Sequence, residues 1–177
     1  MAGAIEQDLG SFVEPAAGGD EAAFGGIVAN CHAEMLRVCV AIARDPTLAE
    51  DAVCSAWAIA WRKLGSVREP DRLRQWLIAI AVNELRQSLR KRARRSRLEV
   101  AVDASRQPGG IDPATGVDAL DMQRALERLD PDDRALLVLR YMAGFEAPEL
   151  ADALGLSPAG VRTRLKRLLD RLRQELL

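Results

Sequence analysis

Residues 145–176 read FEAPELADALGLSPAGVRTRLKRLLDRLRQEL. Pro148 sits near the start of an apolar-periodic segment and Gly155 closes it, as a left-handed cap residue does. Two residues on, Ser157 is a helix N-cap and Pro158 fits the first helical position. Val161, Leu165, Leu168, Leu169, Leu172 and Leu176 then recur at helical spacing and point inward, leaving Ala159, Gly160, Thr163, Lys166 and Arg167 outward. Helix, glycine-containing turn, helix is helix-turn-helix spacing. The small residues Ala159 and Gly160 permit close approach of the second helix to a groove, and its N-terminal end favours phosphate. Arg162, Arg164, Lys166, Arg167, Arg171 and Arg173 supply charge against a nucleic-acid backbone.

Upstream, ALDMQRALERL (119–129) predicts one helix and DPDDRALLVLRYMAG (130–144) another, with Asp130 as cap, Pro131 in the first turn and Gly144 at the end. Residues 98–117, LEVAVDASRQPGGIDPATGV, carry Pro, Gly-Gly and Asp-Pro and no helical period. They predict a flexible linker between a domain over 20–97 and one over 118–177.

In the first domain a helix is expected from Asp20 to Ala43, with Phe24, Ile27, Val28, Cys31, Met35, Val38, Cys39 and Ile42 on one arc. The stripe makes Cys31 and Cys39 core residues, and His32 lies at its edge with a structural role. Thr47 and Glu50 have capping-box spacing for the next helix. There Val53, Trp57, Ala60, Trp61 and Leu64 form the inward stripe, Asp51, Ser55, Ala58 and Arg62 lie opposite, and Ala52, Ala56 and Ile59 extend the apolar surface. So much surface suits either a docking face or cover by a third helix, and the pattern alone does not choose between them. After the loop GSVREPD, a long helix over 72–95 buries Trp76, Leu77, Ile80 and Ala81. Asn83, Arg86, Gln87 and Arg90 share another of its faces, an amide heading an arginine row.

Ala, Leu and Arg dominate and β-branched runs are scarce, so the expected class is all-α, two small helical domains on a flexible linker. The net charge of −1 hides a segregated pattern. Every charge in residues 1–23 is acidic, an acidic N-terminal tail over 1–19, whereas residues 86–97 and 162–173 are basic blocks. Three cysteines with no CxxC pair argue against a disulfide framework or a zinc site. The start, MAGAIEQDLGSFVEP, lacks a basic and then apolar signal pattern, and no run of ~20 continuous apolar residues predicts membrane insertion. A cytoplasmic protein is expected. No Gly-rich phosphate loop, metal-ligand cluster or nucleophile–base pair is present, so neither cofactor nor catalysis is expected.

Together the two halves resemble sigma factors of the extracytoplasmic function (ECF) group. AEDAVCSAWAIAWRKL resembles the core-polymerase-binding helix of that family, and RQWLIAIAVNELRQSLRKRARR its Trp-Leu, Ile-Ala and Asn pattern followed by basic residues. LERLDPDDRALLVLRYMAGFEAPELADALGLSPAGVRTRLKRLLDRLR resembles region 4 almost throughout. The resemblance implies that region 2 binds the β′ clamp helices of RNA polymerase and melts the −10 element, and that region 4 docks on the β flap and reads the −35 element. It assigns core binding to Glu50, Asp51, Cys54, Ser55, Ala58, Ile59 and Arg62. It assigns −10 contacts to Asn83, Arg86, Gln87, Arg90 and Lys91. It assigns −35 contacts to Ser157, Ala159, Gly160, Arg162, Thr163, Arg164, Lys166 and Arg167. ECF factors are often held by an anti-sigma factor, a candidate partner here.

The chain departs from that pattern at several positions. Cys54-Ser55 stand where Gln-Glu is common, Val82 where an arginine precedes the Asn, and Gly160 where the family has Thr. The other reading of the residues is a dimeric helix-turn-helix regulator that acts without polymerase. The apolar and acidic face over 48–62 argues against it, because a simple repressor needs no such face.

Overall fold

A computed structural model describes residues 9–99 and 128–175. The regular structure there is helical: α1 (Gly10–Ala17), α2 (Glu21–Ala43), α3 (Pro46–Lys63), two short 3₁₀ turns, α4 (Leu73–Glu99), α5 (Pro131–Tyr141), α6 (Ala147–Leu154) and α7 (Pro158–Glu175). The expected helix over 119–129 lies almost wholly outside the described residues. So does the expected linker, except that α4 stays helical through its first two positions, to Glu99.

α2 is the centre of the first half. Asp20 caps it, accepting from the Ala22 and Ala23 N–H groups at 2.8 and 3.0 Å. Ile27, Cys31, Met35, Val38, Cys39 and Ile42 are buried against α3 and α4. By length and apolar content alone α2 could cross a membrane, but that face forms the core of the bundle. The helix ends at Arg44, whose φ of 58° makes it the one non-glycine residue at positive φ among the described residues. The turn passes at once into α3.

Asp45, not Thr47, caps α3, accepting from Leu48 N–H at 3.2 Å with Pro46 in the first turn. Asp-Pro places the cap one residue before the proline, which overrides the Thr-x-x-Glu spacing. The buried arc of α3 is Ala49, Ala52, Val53, Ala56, Ala60 and Leu64. It is rotated from the expected stripe: the alanines face inward, and Trp57 and Trp61 move to the edge, where both pack edge-on against Phe24. Close helix packing selects small residues for the seam and leaves the wide indoles at its rim. In α4 the same shift buries Leu73, Leu77, Ile78, Ala81, Val82 and Leu85, while Trp76 and Ile80 are only half-buried.

The acidic N-terminal segment contains a helix that its composition did not announce. α1 buries Val13 and Ala16 against the first half, and the Phe12 ring lies over Gly26, where a Cβ would come within 2.8 Å of it. Gly10, Pro15 and the following Gly-Gly obscure the helical pattern, and eight residues are too few to show a period.

In the second half, Asp130 caps α5 through Asp133 N–H at 2.8 Å. Gly144 and Gly155 take φ of 73° and 67° after α5 and α6, as their positions in the sequence predict. Glu149 accepts from Glu146 N–H at 2.7 Å at the start of α6. Phe145, Leu136, Leu139, Leu150, Val161 and Leu168 form the core of these three helices.

The two halves pack together, α5 on α2 and α6 on α4. Buried Arg134 of α5 donates from Nε to the Ile42 carbonyl at 2.7 Å, satisfying an acceptor in the last turn of α2. Glu149 of α6 reaches Arg72 at 3.4 Å.

Candidate polymerase and promoter interfaces

The seven residues expected to bind polymerase fall on one side of α3. Glu50, Asp51, Cys54, Ser55, Ala58 and Arg62 are exposed and Ile59 is half-buried. Helical spacing of three and four puts them in a continuous strip opposite the alanine seam. Beside it lies an aromatic edge, at positions where the helical period predicts core residues. Trp61 is 39% exposed, and Trp57 Nε1–H donates to His32 Nδ1 at 3.2 Å with the rings stacked. The bond fixes His32 as an acceptor, a structural role for the only histidine. Cys54 is the one exposed thiol of the three; burial pushes Cys39 up to about 12 and also raises Cys31.

The residues expected at the −10 element do not form one open face. Asn83 lies in a cleft of about 500 Å³ between the halves, with Trp76 and Ile80 on one wall and Phe145, Glu149 and Asp152 on the other. Arg86 has a side chain only 10% exposed. Its Nε donates to Asp132 Oδ1 at 2.8 Å and its Nη1 to the Leu154 carbonyl at 3.3 Å. Arg90 approaches the other oxygen of Asp132 at 3.6 Å but stays largely in solvent. Gln87 is exposed and donates to Glu84, and Lys91 is exposed. The row is covered at its N-terminal end and open at its C-terminal end.

The −35 residues divide as well. Ser157 caps α7 by accepting from Gly160 N–H at 3.0 Å. Ala159, Gly160, Thr163, Arg164 and Arg167 line a shallow hollow, at whose edge lies the buried carboxylate of Asp133. Arg164 Nε donates to Asp133 Oδ1 at 2.5 Å and Arg171 to Oδ2 at 3.2 Å. Arg162 and Lys166 turn toward a second hollow with Arg140 and Glu146. Arg140 donates to the Phe145 carbonyl at 2.9 Å and so braces the turn into α6. Charge spacing in the sequence flagged α7 but could not show that an acid of α5 occupies two of its arginines. Among the described residues no group of three or more His, Cys, Asp or Glu side chains could hold a metal ion.

The arrangement, a bundle with an exposed polar face followed by a helix-turn-helix, has clear relatives. The sequence signature of Sigma-70 region 2 matches residues 27–95 and that of Sigma-70 region 4 matches residues 119–172. The chain belongs to the ECF group of the sigma-70 family. It is thus an alternative sigma factor. It is 33% identical to the RNA polymerase sigma factor CarQ of Myxococcus xanthus, over 74% of this chain and 76% of that one. It is 30% identical to the ECF RNA polymerase sigma factor SigM of Mycobacterium tuberculosis, over 87% and 77%. The probable RNA polymerase sigma factor RfaY of Xanthomonas campestris is 34% identical over 92% of this chain, which spans only 42% of RfaY. Among solved structures, the sigma factor RpoE of Bartonella quintana, in complex with the anti-sigma factor NepR, superposes with a TM-score of 0.71 at 26% identity, covering 86% of this chain and 96% of RpoE. Sigma factors of this family are initiation factors without catalytic chemistry of their own.

Proposed function

We propose that this sigma factor binds core RNA polymerase through the exposed strip of α3 and directs initiation at promoters read by α4 and α7. The observation that carries the reading is the strip itself: Asp51, Cys54, Ser55, Ala58 and Arg62 are exposed together in a bundle whose alanine seam already satisfies its core. The β′ clamp helices are the partner on that strip and the β flap is the partner of region 4. Asn83 reads a −10 base edge, since an amide can pair with bases but neutralises no phosphate. Thr163 and Gly160 lie nearer than Arg167 to the start of α7, where base contacts concentrate, and Arg167 holds backbone phosphate two turns in. An anti-sigma factor is a further partner of this reading, as one is of the RpoE relative. The site of action is the cytoplasm, with the polymerase.

The test is run-off transcription with core polymerase across genomic promoters, with and without this chain. Specific transcripts should appear only with the chain. Asp51→Arg should lose core binding while keeping full helicity, because reversal sets an unpaired or like charge in the interface. Transcripts that never depend on the chain would refute the reading.

A further inference from the structure

A buried carboxylate of α5 stands beside the face of α7 that the proposed function turns to DNA. Asp133 lies in the first turn of α5, and its side chain is only 8% exposed. Arg164 Nε donates to its Oδ1 at 2.5 Å and Arg171 Nη2 to its Oδ2 at 3.2 Å. Asp130 approaches Arg164 as well, at 3.6 Å. The two arginines are seven residues apart, two turns along one side of α7, and buried Leu168 lies between them. Gly160, Thr163 and Arg167 follow on the adjoining side and line the same hollow as the ion pairs. One side of α7 is thus engaged by α5, and its neighbour is left for a groove. A carboxylate this covered needs its cationic partners, because a buried charge without them is costly. Any turn of α7 about its own axis that breaks these bonds is opposed on that account.

We propose that Asp133 is a positioning residue for the reading of the −35 element: it fixes the rotation of α7 and withholds Arg164 and Arg171 from the DNA backbone. The inference rests on the assignment of α7 to the −35 element in the proposed function. It takes Arg164 out of the DNA contacts that the family resemblance implies. Its physical content is a division between selectivity and bulk attraction. Base-edge contacts discriminate only while the side chains that make them keep one register in the groove, whereas phosphate contacts hold any sequence. Carboxylate and phosphate are alternative anionic partners for the same guanidiniums. With both bonds to Asp133 in place, Gly160 and Thr163 keep one orientation, and Arg162, Lys166 and Arg167 are the cations left for phosphate. Arg164 and Arg171 are already 36% and 52% exposed. Once the carboxylate charge is gone, they hydrate readily, α7 gains freedom to turn, and two more cations reach the backbone. The chain then binds all DNA more tightly and tells sequences apart less well.

The experiment uses holoenzyme assembled from core polymerase and the full chain. Its affinity is measured for promoter duplexes matched or singly substituted in the −35 element, at several salt concentrations. Asp133→Asn keeps the shape of the side chain and removes its charge. It should steepen the fall of log affinity with log salt by about one to two. It should also tighten binding to the substituted duplexes and cut the matched-to-substituted ratio about tenfold. Arg164→Gln should lower the same ratio but leave the salt slope at its parental value, because that arginine is already paired. This second variant keeps the test decisive if Asp133→Asn loses helicity. Asp170→Asn, an equal change of charge on α7 at a residue paired with Arg173, should leave the ratio unchanged. An Asp133→Asn holoenzyme that keeps the parental ratio, whatever its slope, would overturn the proposal. So would an Arg164→Gln holoenzyme whose slope falls by about one while all sequences weaken equally, or a loss of ratio matched by Asp170→Asn. Thr163→Ala combined with Arg167→Ala separates the inference from the broader reading. If that chain shifts ratio or slope while the Asp133 and Arg164 variants behave as the parent, α7 still reads DNA and only the role of Asp133 is lost. If it shifts neither, α7 does not read the −35 element, and both readings fall.

Discussion

Cys31, Cys39 and Cys54 are one residue type in very different environments. The first two face the α2 seam, and desolvation there opposes the thiolate. Cys54 stands on the exposed strip of α3. A thiol-specific reagent at mildly alkaline pH should therefore modify one thiol in the folded chain and all three after denaturation. Core polymerase should protect the reactive one. Prompt modification of two or three thiols in folded protein would contradict the burial described here, and unprotected Cys54 in the holoenzyme would take it out of the interface. Helical period alone identified Cys31 and Cys39 as core, because both lie on a long unbroken apolar arc. The partners of Arg86 and Arg164 were not legible in the same way. Both arginines sit in rows of exposed basic residues, and the acids that bind them lie 46 and 31 residues away in sequence.

At the scale of elements, the helices that carry their own punctuation were readable and the others were not. α5, α6 and α7 begin with Pro in the first turn, and Gly144 and Gly155 follow the first two. Each rule acts within a few residues, so sequence suffices. In α3 the hydrophobic count was right but the phase was not: tryptophan outranks alanine in any apolar scale, whereas packing distance placed alanine in the seam. α1 was invisible, since what holds it is packing on other elements, with Val13 and Ala16 buried and Phe12 over Gly26. That contact is open to test. Gly26→Leu should drive a side chain into the Phe12 ring and lower stability by about 1–3 kcal/mol in urea unfolding. In a chain lacking residues 1–18 the same substitution should cost far less, because the clash has been removed. Equal losses in both backgrounds would place the penalty elsewhere than at α1.

For the whole molecule, the closed packing depends on carboxylates and should respond to acid in a defined direction. Burial pushes the Asp132 carboxyl up, but the hydrogen bond from Arg86 and the charges of Arg86, Arg90 and Arg164 outweigh it, and the group titrates below its ordinary value. A carboxyl with a depressed folded-state pKa stabilises the folded arrangement above its unfolded pKa. The contribution fades as pH falls through the ordinary value and is gone below the depressed one. Asp45, the α3 cap, is depressed as well, first by the Leu48 N–H bond and then by Arg92, but it holds the first half together rather than the two halves to each other. Expansion should therefore begin below about pH 4 with helicity still largely intact. Because Arg90 is 64% and Asp132 38% exposed, added salt at neutral pH should weaken that pair and loosen the packing in the same sense. The measurement is radius of gyration and far-ultraviolet circular dichroism along one acid titration at constant ionic strength. The unsubstituted chain should swell before its helices melt, and Asp132→Ala should start expanded and show no such step. A radius that changes only in concert with helix loss, identically in both chains, would mean that Asp132 does not govern how the halves are held.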